Sequence, residues 1–100
     1  MDNEEKIQIV RTEHAGVFIG HIVERDDANH HVVMKNTRQV FYWDGAAGLP
    51  QMAMMGTCKP LECKFTVSVD RVELFGVCEI LDVTPEAAKS IREVPVWIAR

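Results

Sequence analysis

Three consecutive aromatic residues, Phe41–Trp43, constrain the fold of this chain more than any other feature. They lie within the segment Asn36–Gly48 and are followed at once by Asp44-Gly45, a turn signal. Aromatic residues favour β-strands, and successive side chains of a strand point to opposite faces. Both faces of this strand therefore carry large rings. The pattern predicts a central strand that is covered on both sides.

The rest of the chain predicts an α+β domain, with a curled antiparallel sheet or half-barrel of about six strands. One short helix is inserted at 46–55, and a C-terminal helix at 84–93 begins with Thr84 as its cap and Pro85 in its first turn. Turns are expected at Asn36-Thr37 and Asp70-Arg71. The predicted strands are residues 6–12, 17–24, 31–35, 38–43, 63–69 and 72–83.

Several side chains receive specific expectations from this pattern. Gly20, in the middle of the second strand, leaves a gap where a ring or another backbone can approach. Alternation in the fifth strand directs Phe65, Val67 and Val69 to the core. The apolar tail 96–98 follows a helix-stopping proline, so it either closes the domain's own sheet or contacts a second subunit.

Composition limits the classes of protein to consider. One hundred residues indicate a single domain, 1–100, of which residues 1–5 are expected to be flexible. The net charge of −4 argues against binding a nucleic-acid polymer or an anionic membrane. The chain has no apolar run near the ~20 residues of a membrane span, and its acidic N-terminus is unlike a secretion signal. Its three cysteines form no CxxC pair, which fits the reducing cytoplasm.

No reaction motif appears in the sequence. The four histidines lack the spacing of metal ligands, so no metal and no other cofactor is expected. A cysteine nucleophile, Cys58 or Cys63, with His14 as its base is conceivable, but nothing brings these residues together. The protein is therefore expected not to be an enzyme.

Arginines near aromatic residues are the strongest indication of a binding site. A planar guanidinium binds phosphate through paired hydrogen bonds and stacks on purine rings, and aromatic faces bind bases. The alternative is that the arginines form surface ion pairs and the aromatic rings are core. The candidate ligand-binding residues are Arg11, His14, Arg38, Phe65 and Arg92.

Individual roles follow from this hypothesis. Arg11, at the end of an apolar strand face, either extends its head into water at the rim or points into a cavity. Arg38 is expected at a rim, where it contributes little to folding. The arginines are predicted to converge on phosphates in one cavity, with Phe65 under a base.

Four stretches of the chain resemble a family of small proteins common in bacteriophage genomes, most of them of unknown function. The resemblance runs from about Val10 to Trp97. The length, the β-rich plan and the arginine-aromatic pairing are also similar to phage anti-Thoeris sponges, which sequester cyclic ADP-ribose signals so that the host's abortive defence does not start. Neither resemblance assigns a binding residue. The stretches are 11–17, 38–46, 63–65 and 90–91.

The resemblance implies a phage anti-defence sponge, which binds a cyclic nucleotide of the cyclic ADP-ribose type in the host cytoplasm without cleaving it. The alternative is a protein-binding phage accessory module or an inhibitor of a host enzyme. It would dock through Met52, Met54 and Met55 or through the tail 96–98. Self-association to a dimer or larger oligomer is expected in addition, because these apolar groups exceed what one small domain covers.

Overall fold

A computed structural model describes residues 6–99 of the chain, so the expectation that residues 1–5 are flexible lies outside the described part. The fold is α+β, with a six-stranded antiparallel sheet that does not close and two helices, as predicted. Short 3-10 turns lie at Asp27–Asn29 and Pro60–Glu62. The strands are β1 (Gln8–Thr12), β2 (Val17–Asp26), β3 (His31–Tyr42), β4 (Lys64–Phe65), β5 (Val69–Phe75) and β6 (Val77–Asp82); the helices are α1 (Gly48–Met55) and α2 (Pro85–Arg92).

β3 is the organising strand of the sheet. The strand order is β4-β3-β2-β1-β6, and β5 pairs with the first half of β3 while β4 pairs with its end. The prediction that this strand is central in the sheet is confirmed, because other strands pair with both of its edges. The prediction that both of its faces are covered is wrong, because Phe41 is 61% and Tyr42 50% exposed.

The predicted turn at Asn36-Thr37 is wrong. β3 continues through these residues, and a bulge forms where Ile19 pairs with Arg38 but His21 pairs with Lys35. Asn36 has a positive φ of 49°, which is a turn-like conformation within a strand. The pair Asn36-Thr37 therefore does adopt a turn-like backbone, but this backbone forms a bulge within β3 and does not end the strand.

The strand predicted at residues 63–69 is also wrong in its extent, and so is the turn at Asp70-Arg71. β4 has two residues, β5 runs through the predicted turn, and the chain bends at Gly76, whose φ is 71°. β5 pairs with β3 as far as Thr37 and β4 pairs with it from Val40 onward, so the interruption lies opposite Arg38 and Gln39. Val67 and Val69 are each 44% exposed rather than in the core.

Two cores lie on opposite faces of the sheet. One packs the sheet against both helices and includes Ile9, Met52 and Phe65, all fully buried. The other lies inside the curl of the sheet and includes Val10 and Met34. Neighbouring residues Ile9 and Val10 enter different cores because strand side chains alternate between faces.

The C-terminal helix forms as predicted. The Thr84 hydroxyl oxygen accepts a hydrogen bond from the Ala87 amide at 3.0 Å, and Pro85 occupies the first position. Such a cap satisfies one of the amides that a helix start leaves without a partner. The buried face of α2 consists of Ala87, Ala88 and Ile91.

The segment after α2 pairs with the edge strand of the domain's own sheet. Val96 forms an isolated parallel bridge with Phe65, and the Trp97 amide donates to the Phe65 carbonyl oxygen at 2.9 Å. The Trp97 ring stacks on Phe41, with ring centroids 4.9 Å apart. The tail therefore lies along β4, which it extends at its outer edge.

Candidate functional site

A cavity of about 330 Å³ lies where the end of α2 meets the bulged part of the sheet. Three buried isoleucines give it an apolar floor, and polar side chains surround its opening. Two of these polar groups are arginines, and the lining contributed by residues 6–99 contains no carboxylate. The lining residues are Ile7, Ile19, Gly20, His21, Asn36, Arg38, Ser68, Ile91 and Arg92.

The β-bulge builds one wall of this cavity. A Cβ atom at Gly20 would lie 2.8 Å from the Cα of Thr37, so only glycine allows the two strands this close approach. The prediction that another backbone approaches Gly20 is thus confirmed. Opposite Gly20, the left-handed conformation of Asn36 shifts the register of β3 before Arg38.

Arg38 is half-buried and donates hydrogen bonds to four backbone carbonyl groups. Its Nε donates to the Thr66 carbonyl at 2.9 Å, and Nη1 donates to that of Val94 at 3.1 Å. Nη2 donates to the carbonyls of Phe65 and Pro95, both at 3.1 Å. Arg38 thereby joins β4 to the segment after α2. The expectation of an arginine at the rim that contributes little to folding is wrong, because the guanidinium is half-buried and bonded to four backbone carbonyl groups.

The charge of Arg38 has no acidic partner among residues 6–99: the ion pairs of that part of the chain do not include it. Burial lowers the pKa of Arg38 from its ordinary value, because the guanidinium loses hydration. An arginine nevertheless remains protonated at any physiological pH. The cavity therefore has a fixed positive charge in its wall, and within residues 6–99 its hydrogen-bond partners are backbone carbonyl groups.

Arg92, His21 and Ser68 complete the polar side of the cavity. Arg92 is exposed in the last turn of α2, and the ion pairs found within residues 6–99 leave it out as well. His21 offers an imidazole, and Ser68 a hydroxyl group, for hydrogen bonds to a ligand. This arrangement suits an anionic group at the opening and an apolar or sugar-like portion against the isoleucines.

The predicted convergence of candidate residues holds for two of them. Arg38 and Arg92 line the same cavity. Phe65 contacts Arg38, whose Cζ lies 5.2 Å from the ring centroid, but Phe65 is fully buried and does not reach the cavity. Arg11 and His14 are exposed at one end of the β1–β2 hairpin and do not line it.

Arg11 follows the simpler of its two expected roles. Its Nε forms an ion pair with Glu79 Oε1 at 2.9 Å, and both side chains are well exposed. The hydrogen bond that Arg11 donates to Glu79 raises the pKa of Arg11 above its ordinary value. Arg11 is thus a surface partner of β6.

Sequence reasoning missed His21, Asn36 and Ser68. Two features of the sequence lie next to His21 or include Asn36: Gly20, a glycine inside a strand, and the turn-forming pair Asn36-Thr37. A glycine on one strand opposite a left-handed residue on the next indicates a bulge. Ser68 had no signal, because its position depends on the interruption between β4 and β5.

Two other cavities carry acidic groups. One of about 270 Å³ lies beside the β2–β3 hairpin and includes Asp26, Asp27 and Glu79. Another of about 440 Å³ lies along the 3-10 turn after α1 and includes Asp44 and Glu62. Although that second one is larger, its carboxylates repel an anion, so we place the candidate site at the arginines.

The fold and the cavity define a class: a small α+β protein with an open antiparallel sheet and an arginine-lined cavity. Residues 5–91 match the family described as "Domain of unknown function (DUF6948)", so this chain belongs to that family. No curated protein and no solved structure matches the chain. Within residues 6–99, neither helix is long and apolar enough to cross a membrane, and no group of acidic, histidine and cysteine side chains is arranged to hold a metal ion.

Proposed function

We propose that this protein binds a small phosphate-bearing ligand in the cavity between α2 and the bulged sheet. The observation that carries this proposal is a cavity whose lining, over the described part of the chain, has two arginines and no carboxylate, in a protein whose net charge is −4. Acidic residues outnumber basic ones in the chain as a whole, whereas the described lining of this cavity is basic. Guanidinium groups favour phosphate because their N–H donors match its oxygens in geometry and charge.

We propose further that the protein holds its ligand without changing it, as a sponge for a cyclic nucleotide signal of the cyclic ADP-ribose type in the host cytoplasm. The resemblance to phage anti-Thoeris sponges supports this finer assignment. Such a sponge must bind its ligand tightly. Sequestering a scarce signal requires roughly nanomolar affinity, a binding free energy of about 12 kcal/mol.

The size of the cavity bears on how such affinity is reached. A volume of about 330 Å³ is near the lower end of ligand pockets, which span roughly 300–1,000 Å³. It encloses one nucleotide unit rather than a whole dinucleotide-sized signal. A second subunit over the opening would supply the missing coverage, so the proposal includes a dimer or larger oligomer.

Thermal unfolding with a panel of phosphorylated ligands tests this function. The panel contains cyclic mononucleotides, cyclic dinucleotides and cyclic ADP-ribose isomers. At a hundredfold excess over Kd, a ligand of the folded state adds about 2.7 kcal/mol to the free energy of unfolding, which raises Tm by roughly 10 °C for a chain of this size. Mass spectrometry of the recovered ligand shows whether it is unchanged.

Arg92→Gln is the informative variant, and Lys89→Gln is its control. Both residues are exposed cations near the end of α2, but only Arg92 lines the cavity. We expect Arg92→Gln to remove most of the ligand-induced rise in Tm and Lys89→Gln to preserve it. Equal responses of the two variants, or no rise with any ligand, would count against this cavity as a nucleotide site.

A protein-binding role remains the second candidate, and one observation favours it. Val96, Trp97 and Ile98 are between 45% and 52% exposed, and Phe41 beside them is 61% exposed. Met54 and Met55 are exposed on α1, whereas Met52 is fully buried and is unable to contact a partner. The exposed group formed by Phe41, Tyr42 and the tail 96–98, here called the aromatic edge, is the surface that a second copy or a host protein would cover.

A further inference from the structure

The hydrogen bonds of Arg38 occupy the edge of its guanidinium group. All five N–H donors of a guanidinium lie in its plane. Four hydrogen bonds, to the carbonyls of Phe65, Thr66, Val94 and Pro95, use four of those donors. Arg38 has therefore one N–H left for a ligand and is unable to grip a phosphate with a free pair of donors.

The same guanidinium lies over the ring of Phe65, with Cζ 5.2 Å from the ring centroid. Phe65 is fully buried, so this contact is on the interior side of Arg38. Arg38 also lines the cavity. Because carbonyl groups use most of the edge of the guanidinium, the surface left for a ligand is mainly a flat face.

We propose that Arg38 binds the planar base of a nucleotide by stacking, while Arg92 binds the phosphate. This inference rests on the proposed function and assigns the two halves of the ligand to the two arginines. It reverses the expectation for Phe65: the ring supports the guanidinium, and the guanidinium supports the base. Arginine planes stack well on bases, because the delocalised cation is flat and weakly hydrated.

The fixed position of Arg38 favours this role. A free arginine side chain has many rotamers, and ordering it on binding costs free energy. In this protein the four carbonyls already hold the group in one orientation. Arg92 is exposed at the end of α2 and takes part in none of the ion pairs of residues 6–99, which suits a side chain that reaches a phosphate.

These separate roles of Arg38 and Arg92 indicate which class of ligand the cavity binds. A compound with both a base and a phosphate uses both arginines, whereas a sugar phosphate uses Arg92 alone and a nucleoside uses Arg38 alone. The buried isoleucines, Ile7, Ile19 and Ile91, suit the sugar and the edge of the base between these two ends. Nucleoside phosphates are therefore preferred over sugar phosphates.

The test varies the ligand rather than Arg38, because replacing Arg38 also disturbs the fold. The full chain is titrated with the four common nucleoside 5′-monophosphates and with ribose 5-phosphate, up to millimolar concentration, by calorimetry. We expect at least one nucleotide to bind about tenfold or more tightly than ribose 5-phosphate, the effect of stacking one base. Arg92→Gln should weaken the binding of both kinds of ligand by a similar factor.

Nuclear magnetic resonance of the Arg38 Nε–H group gives an independent measurement. A base stacked on the face of the guanidinium shifts this proton upfield through its ring current. A phosphate bound to the edge shifts the guanidinium protons downfield through a hydrogen bond. We expect the upfield shift with the nucleotide and no upfield shift with ribose 5-phosphate.

The outcomes separate the two proposals. If ribose 5-phosphate binds as tightly as every nucleotide, or if the Arg38 protons move downfield, the stacking inference is overturned while the anion site remains. If neither kind of ligand binds at millimolar concentration, the proposed function fails and this inference fails with it.

Discussion

Arg38 combines a structural role with its place in the cavity wall. Its hydrogen bonds reach two carbonyls at β4 and two after α2, so a single side chain joins segments that are far apart in sequence. The sequence showed an arginine beside aromatic residues but not which groups would surround it. The sequence pattern of an arginine that hydrogen-bonds to backbone carbonyls is the same as that of an exposed arginine that is free to bind a phosphate.

At the residue scale, we predict that Arg38→Ala destabilises the protein by about 2–4 kcal/mol, because several charge-assisted hydrogen bonds are lost and their carbonyls are left without a donor. For a chain of this length, Tm should fall by roughly 10 °C or more, measured without ligand by circular dichroism. Arg25→Ala is the control, since Arg25 forms an exposed ion pair with Asp27 and such pairs contribute little. Similar Tm values for the two variants would contradict the structural role of Arg38.

A second residue-scale prediction concerns Asn36. Its φ of 49° is tolerated by asparagine and glycine but costs a β-branched residue roughly 1–2 kcal/mol. Asn36→Val should therefore lower the free energy of unfolding in urea by about that amount, while Asn36→Gly should leave it nearly unchanged. If valine is tolerated as well as glycine, β3 does not contain the bulge described here.

At the scale of elements, the sequence predicted well where one local signal determined the outcome. The cap at Thr84 and the buried face of α2 depend on neighbouring residues, and both were correct. The strands around residues 63–83 were placed incorrectly because their ends depend on pairing with β3. Alternation at Phe65, Val67 and Val69 is compatible with one strand or with two, and the outcome depends on pairing with β3, which stops at Thr37 for β5 and begins at Val40 for β4.

The candidate site was predictable to a similar degree. Arg38 and Arg92 were identified from residue type, but Arg11 and His14 share that chemistry and lie elsewhere. Which of several arginines meet depends on strand order and on where α2 ends, and neither is encoded near any one of them. The bulge that brings His21 and Asn36 to the cavity was visible in the sequence only as a glycine and a turn signal.

The segment after α2 yields a prediction at the scale of elements. Truncation after Glu93 removes Val94, which is buried, together with two of the four carbonyl acceptors of Arg38 and the stacking partner of Phe41. We expect a clear loss of stability by urea unfolding, even at protein concentrations where the chain is monomeric. Deletion of only residues 99–100 is the control and should have little effect. An unchanged free energy of unfolding in urea after the longer truncation would mean that the tail does not belong to the sheet.

At the scale of the whole molecule, the exposed apolar groups are unevenly distributed. The aromatic edge contains five residues that are each 45–61% exposed, and two of them, Phe41 and Trp97, stack on each other. Lys64, whose Nζ lies 5.3 Å from the Trp97 ring centroid, is a cation beside this pair. Exposed apolar surface of this kind is typical of interaction sites.

We predict self-association through the aromatic edge. Sedimentation at micromolar concentration should show a dimer or larger species rather than a single 11.3 kDa chain. Phe41→Ser should shift the equilibrium toward the monomer, while Phe75→Ser, which replaces a phenylalanine that is 66% exposed on β5, should not. A monomer at all concentrations would refute the prediction and would leave the cavity without cover from a second subunit.

The central claim is that the cavity between α2 and the bulged sheet is the ligand site. The most direct measurement maps the backbone amide resonances of isotope-labelled protein during titration with the ligand that raises Tm most. The account predicts shifts concentrated at Gly20, His21, Asn36, Ser68 and Arg92, with none at His14 or around Cys58. Shifts concentrated along the aromatic edge, or beside the turn 60–62, would contradict it.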